Sequence, residues 1–338
     1  MTRLRAAVLT LAAAVSVTGG AAGQEFTSKS VNLIVGFPPA GGYDSIARIF
    51  ARHFGKHLPG TPSVVVQNQP GAGSLTAANL LYNAAPKDGS QLAMFASSAA
   101  LEPLMGNQLA KFDATKFEWL GNLNRDTPAC GAWASSGIKT WDDLTKRKTR
   151  FGASGPAAIT AQHAFFLKNV LGADIQVIMG LGGTGPIVLA MQRGEVDASC
   201  GMFMSSVRGA FRTDFDKGNL IIFMQLGKKK EPFFKNAASV YDVVKNEEDR
   251  KLAEFVFTQA EVTRPIAMAP GTPPSIVASM RAAFDKTVRD KDYLAELEKA
   301  QIDGDSMNGA ETAAAFKAAI ESPRSIIERS KAALSPPN

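Results

Sequence analysis

Val31-Asn-Leu-Ile-Val-Gly-Phe37 runs into Pro38-Pro-Ala-Gly-Gly-Tyr-Asp44 and on into Ser45-Ile-Ala-Arg-Ile-Phe50. The first piece is an apolar run of strand length, rich in β-branched residues, which suits a parallel strand buried on both faces. Two prolines and two glycines then force a turn whose backbone can lie bare. Asp44 or Ser45 can cap a following helix, along which Ile46, Ile49, Phe50, His53 and Phe54 recur at helical spacing. Strand, glycine-bearing loop and helix N-terminus together place free N–H groups at the carboxyl end of a sheet. That place favours an anion. It lacks the Lys and Ser/Thr of a phosphate loop, so a carboxylate is at least as good a guest as a phosphate.

Working outward, the unit repeats. Ser63 to Gln67 reads as a strand, Asn68-Gln-Pro-Gly-Ala-Gly-Ser74 as its glycine loop, and Leu75, Ala78, Leu81 and Tyr82 as a helix face. Gln91 to Phe95 is a third strand, ending at Ser97-Ser98 before another helix start. Three strand–loop–helix units in about seventy residues argue for a parallel α/β sheet. The stretch from Leu109 to Asn124 is ambiguous. After Cys130 to Ala134, a short strand, the rhythm restarts: Arg150 to Ala153 with the loop Ser154-Gly-Pro-Ala-Ala158, Ile175 to Met179 with Gly180 to Gly185, and Ala198 to Phe203. Leu220 to Gln225 and Arg264 to Ala269 read as further strands, and the chain from 247 onward is mainly helical, including one helix from Glu311 to Ser330. The expected fold class is α/β with two lobes, each a mainly parallel sheet flanked by helices, and a ligand cleft between them. Lobe 1 is expected to be discontinuous, 24–125 and 226–338, with lobe 2 at 126–225.

Composition agrees with an ordinary globular chain of 338 residues, 45% apolar and 20% charged, long enough for two cores. The first 23 residues read as a signal peptide: Arg3 and Arg5, an apolar stretch from Ala6 to Val17, and a small-residue site at Ala21-Ala22-Gly23. Cleavage near Gly23 and a periplasmic location are expected, and no later segment is apolar enough over about 20 residues to span a bilayer. Losing the two arginines lowers the net charge of +6 by two, and the remaining excess is scattered, so no nucleic-acid partner is expected. In an exported chain Cys130 and Cys200 form either a disulfide or two buried thiols, and sequence alone leaves both open.

Catalytic constellations are missing. Gly180-Leu-Gly-Gly-Thr-Gly185 matches a dinucleotide fingerprint, but no acidic residue closes the next strand, so a tight turn of bare backbone at a cleft is preferred to an NAD-type oxidoreductase. His53 and His57 have metal spacing without a third ligand. Asp303-Gly-Asp305 starts like a calcium loop and then departs from it. No site joins nucleophile, base and orienting group, and neither an enzyme nor a cofactor is expected. What remains is a set of small-residue loops whose N–H groups and hydroxyls suit a carboxylate. Arg125, Arg208 and Arg264 are candidates to meet a second carboxylate, against the commoner structural roles.

These loops carry a resemblance. Pro39-Ala-Gly-Gly-Tyr-Asp44 after a Val-Gly-Phe-Pro strand resembles, with its Asp one place early, the P-A-G-G-x-x-D signature of the Bug-type receptors, the periplasmic solute-binding proteins of tripartite tricarboxylate transporters. Asn68-Gln-Pro-Gly-Ala-Gly73 is similar to their N-x-P-G-A-G loop, Lys87-Asp-Gly89 to their P-D-G turn and Gly194-Glu-Val-Asp197 to their G-x-V-D, in the same order over nearly all the mature chain. The resemblance implies a type II-like periplasmic binding protein that closes on a small organic carboxylate and hands it to integral membrane subunits. It implies ligand contacts at Ala40, Gly41, Gly42, Tyr43 and Asp44, with Gly73, Ser97, Ser98, Ser154, Gly155 and Thr184 completing the expected site. A monomer is expected. The chain departs from the pattern at Ser154-Gly-Pro-Ala-Ala and at Gly180-Leu-Gly-Gly-Thr. C4 to C6 dicarboxylates, tricarboxylates and aromatic acids all fit, and a sensor feeding a membrane kinase is an alternative to transport.

Overall fold

The structure is a computed structural model and describes residues 26–228, 230–257 and 262–336. The expected signal peptide and its cleavage site lie outside the described residues.

Twelve strands appear in chain order: β1 Ser30–Val35, β2 Ser63–Asn68, β3 Gln91–Met94, β4 Glu118–Asn122, β5 Pro128–Trp133, β6 Thr149–Gly152, β7 Ile175–Ile178, β8 Ala198–Phe203, β9 Leu220–Gln225, β10 Ala238–Ser239, β11 Pro265–Met268 and β12 Met307–Asn308. They form two six-stranded sheets, in the orders β12-β4-β11-β3-β1-β2 and β10-β9-β5-β8-β6-β7. In the first, β1 pairs in parallel with β2 and β3, while β11 runs antiparallel to β3 and β4. In the second, β6 pairs in parallel with β7 and β8, and β5 runs antiparallel to β8 and β9.

The opening run behaves as its composition dictates. Val31, Leu33, Ile34 and Val35 are buried, because β1 sits between two strands with helices on both faces of the sheet. The helices are α1 Gly42–Phe54, α2 Leu75–Ala84, α3 Ser97–Leu101, α4 Trp141–Thr145, α5 Ile159–Asn169, α6 Thr184–Gln192, α7 Met204–Arg208, α8 Arg212–Asp216, α9 Val240–Val243, α10 Glu247–Phe257, α11 Pro274–Thr287, α12 Lys291–Lys299, α13 Gly309–Ile320 and α14 Arg324–Leu334. On one face of the first sheet, Ile46, Phe50 and Phe54 of α1 pack with Phe284 of α11 and Leu297 of α12. On the other, Leu75 and Leu81 of α2 pack with Phe95, Trp119 and Phe316. The second sheet is two-sided as well, with Phe166, Phe223 and Phe257 on one face and Ile187, Met191 and Met202 on the other. Truncating any of the fully buried rings to Ala costs about 3–5 kcal/mol.

Two sequence expectations need correction. The return to the first lobe expected at residue 226 comes later: β10 lies beside β9, and Val240, Val244, Leu252 and Phe257 belong to the second core. A two-residue strand is too short to show a periodic pattern. The single helix expected from Glu311 to Ser330 is two, because Pro323 cannot continue a helix and instead precedes the first turn of α14. As a result α13 packs on β4 of the first sheet while α14 packs on α5 and α10 of the second, so the end of the chain straps the two lobes together.

Cys130 on β5 and Cys200 on β8 are joined by a disulfide, with 70 residues between them in sequence, and no free cysteine is present. The alternative of two thiols falls away. His53 and His57 pair with acids: their Nε2 atoms contact Glu296 at 2.8 Å and Asp290 at 2.9 Å, fastening α1 and the turn after it to α12 and its N-cap. Among the described residues no cluster could hold a metal, and no helix is long and apolar enough to cross a membrane.

Candidate functional site

The carboxyl ends of β1, β6, β7 and β8 open into one narrow cleft between the lobes, where ligands of open α/β sheets bind. From the first lobe it is lined by Phe37, Pro38, Pro39, Gly41, Gly42 and Tyr43. Across it stand Ser154, Ile159 and Thr160 after β6, Gly183 to Pro186 after β7, and Gly201, Phe203 and Ser206 at the end of β8. The cleft is narrow, with a volume of about 30 Å³. The two lobes approach each other closely across it.

Three helices of eight residues or more begin at this cleft: α1, α5 and α6. Their N-cap residues are Gly41, Ala158 and Gly183, none of which offers a side-chain cap. Away from the cleft, α4, α12 and α13 are capped by Thr140, Asp290 and Asn308, while α2, α11 and α14 have no side-chain cap. An uncapped N-terminus presents first-turn N–H groups and a partial positive charge, and here three of them converge. The rest of the lining is hydroxyls from Ser154, Thr160, Thr184 and Ser206, against rings from Phe37, Tyr43 and Phe203. No Lys, Arg, Asp or Glu is among the residues that line it.

Gly41 and Gly42 are at the site for different reasons. A Cβ on Gly41 would meet nothing nearer than the Pro38 carbonyl at 3.9 Å, whereas one on Gly42 would fall 2.6 Å from Ser206 Oγ and 3.0 Å from Arg264 Nη2. Tyr43 offers the cleft its ring, stacked on Phe37 at 4.4 Å, and donates its hydroxyl to the Thr263 carbonyl at 2.8 Å. Burial pushes that hydroxyl's pKa upward, only partly offset by nearby Arg264.

Asp44 and Ala40 shape the turn and are not on the cleft wall. Ala40 has φ 66°, and its N–H donates to Asp44 Oδ2 at 3.0 Å. Asn68 donates to Asp44 Oδ1 at 2.8 Å, and Arg48 donates from Nε at 2.9 Å. Burial alone would raise the Asp44 pKa, but these hydrogen bonds from Arg48, Asn68 and Ala40 outweigh it and hold the carboxyl below its ordinary value. Asn68 opens the second glycine loop, so Asp44 ties the two loops together.

Of the other expected site residues, Ser154 and Thr184 line the cleft. Gly73, Gly155 and Ser98 lie instead along a seam where the lobes touch. A Cβ on Gly73, whose φ is 69°, would come within 2.5 Å of Ala158 N, one on Gly155 within 3.0 Å of Gly73 N, and Ser98 Oγ donates to the Ala157 carbonyl at 2.8 Å. Ser97 faces an outer depression with Leu101 and Phe316. The Gly180 to Gly185 loop puts bare backbone beside Pro38, as a turn at a cleft should. None of the three candidate arginines lines the cleft: Arg125 pairs with Asp305, Arg208 with Asp303, and Arg264 is buried against Asp126. Phe203 and Ser206 were missed because the first ends and the second follows a strand with no glycine-loop signature. The available signal was the rule that sites gather at the carboxyl ends of strands.

Two mixed sheets joined by crossing strands, with a cleft between them, define the two-lobed α/β architecture of periplasmic binding proteins. Comparison with known proteins gives the family. Residues 46–331 match the profile described as tripartite tricarboxylate transporter family receptor, and the chain belongs to that family. It is 36% identical to protein BugT of Bordetella pertussis over 101 residues, a match spanning 30% of each chain. Among solved structures it is similar to the periplasmic binding protein BugD, with a TM-score of 0.74 and 17% identity over 90% of this chain and 98% of that one. MatC from Rhodopseudomonas palustris, solved with bound malate, gives a TM-score of 0.71 and 16% identity, covering 88% of this chain and 98% of that one. A second R. palustris protein, solved with adipate, gives 0.69 and 16%, covering 90% and 98%. The family is one of receptors, which sets aside the oxidoreductase reading of Gly180 to Gly185.

Proposed function

We propose that the chain is a periplasmic receptor that holds a small organic carboxylate between its lobes and delivers it to integral membrane transporter subunits. The observation that carries this is the convergence of three uncapped helix N-termini on a cleft with no charged side chain in its lining. A carboxylate takes several N–H and O–H donors at once and gains from each helix dipole. The rings of Phe37, Tyr43 and Phe203 suit an apolar ligand body. Relatives of the same fold solved with malate and adipate support the same class.

Thermal melts with malate, adipate, citrate and benzoate test the reading. A ligand at a hundred times its Kd adds about 2.7 kcal/mol to native stability. That raises Tm by several degrees, since roughly 2–4 °C follow each kcal/mol in domains of this order. No shift with any of the four would count against a carboxylate. Export rests on the Arg3/Arg5 region and the Ala21-x-Gly23 site. Intact mass from a periplasmic extract should show an N-terminus near Gln24, and a retained Met1 in that fraction would refute it.

A further inference from the structure

Arg264 is 1% exposed and stands directly behind the cleft. Its Nη1 donates to Asn124 Oδ1 at 2.9 Å and Asp126 Oδ2 at 3.0 Å, and its Nη2 donates to Ser205 Oγ at 3.1 Å. The guanidinium carbon lies 4.7 Å from the centre of the Phe203 ring and 5.6 Å from that of Tyr43, two rings that line the cleft. Nη2 is also the atom that a Cβ on Gly42 would approach to 3.0 Å, beside Ser206 Oγ. Its Nε is buried with no partner.

The ion pair is oriented. Asp126 takes Nη1 of Arg264 together with the N–H and hydroxyl of Ser205, and on its far side it faces an outer depression with Arg125, Thr127 and Asp303. The carboxylate is therefore turned away from the cleft, and the edge of the guanidinium bearing Nη2 is turned toward Gly42 and Ser206. One side chain thereby joins the first turn of α1, the β8–α7 junction of the other lobe, and both crossing segments.

We propose that Arg264 is the positioning residue of the carboxylate site: it seats the Gly41–Tyr43 turn against Ser205 and Phe203 and presents the positive end of a buried ion pair to an otherwise uncharged cleft. A positive charge one layer behind bare N–H groups strengthens their hold on an anion, because screening is weak where water is excluded. The inference rests on the carboxylate reading above.

The test measures Kd by calorimetry for whichever of malate, adipate, citrate and benzoate binds the wild type most tightly. Two variants are compared: Arg264→Lys, which keeps the charge and loses the planar fork, and the neutral pair Arg264→Gln with Asp126→Asn, which keeps hydrogen-bonding groups and loses both charges. The neutral pair should melt cooperatively and bind about tenfold or more weakly, the scale of one charge-assisted contact. Arg264→Lys should bind more weakly than wild type but better than the neutral pair. A purely structural arginine would give a folded neutral pair with wild-type affinity, and that result overturns the proposal. Should the neutral pair not fold, wild-type affinity in Arg264→Lys overturns it and a loss of several-fold supports it. A wild type that binds none of the four acids removes the carboxylate reading and this inference with it.

Discussion

Gly41 and Gly42 are neighbours in one turn, yet the fold asks different things of them. Sequence reading treated both as bare backbone left open for a ligand, and for Gly41 that is the geometry found: φ is −94°, ψ is 171°, and the space beside it is the cleft. Gly42 is needed because Ser206 and Arg264 occupy the place of its Cβ. Gly41→Val should therefore keep Tm within a few degrees and weaken carboxylate binding by about tenfold or more, since valine favours that extended backbone. Gly42→Val should lose about 1–3 kcal/mol of stability from overpacking, with binding lost as a consequence. Melts and calorimetry on the two variants decide the matter, and equal Tm values for both would contradict the packing described. Asp44, expected as a ligand contact, holds its carboxylate against partners within the fold. Its partners Arg48 and Asn68 lie 4 and 24 residues away, and a lone sequence does not show which carboxylates are already bonded.

His163 sits among apolar residues of α5, edge-on to Phe257 at 5.0 Å, as a core histidine does. Burial pushes its pKa down to about 3, against about 6.5 in an unfolded chain. The folded value is the lower one, so as pH falls the unfolded chain takes up the proton first. Stability is then lost between about pH 6.5 and 3, by at most about 1.4 kcal/mol per pH unit. Glu102 opposes this. Burial raises its pKa despite hydrogen bonds from Asn107 and Gln162, so its contribution is fully present below about 4.5 and is lost as pH rises through the raised value. His163→Phe should flatten the acid side of the profile. Urea midpoints from pH 7 to 5 measure it, and an unchanged slope would mean the imidazole is not buried neutral.

At the scale of elements, the strand–loop–helix units were legible because each is local: an apolar run, a glycine or proline turn, and a helical stripe lie within about thirty residues. The elements that escaped are those defined by distant partners. β4, in the stretch read as ambiguous, is made a strand by β11, more than a hundred residues later. The break at Pro323 was present in the sequence, but only packing shows that α14 changes lobes there. The Cys130–Cys200 bridge is of the same kind, a link across β5 and β8. Closing a loop of 70 residues stabilises by about 4 kcal/mol in the chain-entropy model. Dithiothreitol should therefore shift the urea midpoint substantially downward, and Cys130→Ala with Cys200→Ala should reproduce the shift. A midpoint indifferent to reductant would mean that the bridge contributes nothing.

The whole molecule has a repeated plan. In each sheet the third strand, β11 or β5, arrives from the other lobe and runs against its neighbours. The two crossing segments are bonded to each other: Leu123 N–H donates to the Arg264 carbonyl at 3.1 Å, and Thr263 Oγ1 to the Asn124 carbonyl at 2.6 Å. Crossing segments between two rigid cores are where relative motion of the lobes is absorbed. The cleft is narrow, about 30 Å³, and lined from both lobes, so uptake goes with parting of the lobes. They would part along the seam of Gly73, Gly155 and Ser98 and across the Arg208–Asp303 pair, both of which join one lobe to the other. That pair is partly solvent-exposed and contributes on the order of 1 kcal/mol, too little to hold the lobes together unaided. Ligand-free protein in solution should therefore scatter as a larger particle than this closed form, and a binding carboxylate should shrink it toward the closed dimensions. Small-angle scattering with and without a carboxylate that raises Tm measures the change. A ligand-free profile that already matches the closed form and does not move on binding would mean that entry occurs without parting the lobes, and that the crossing segments are not a hinge.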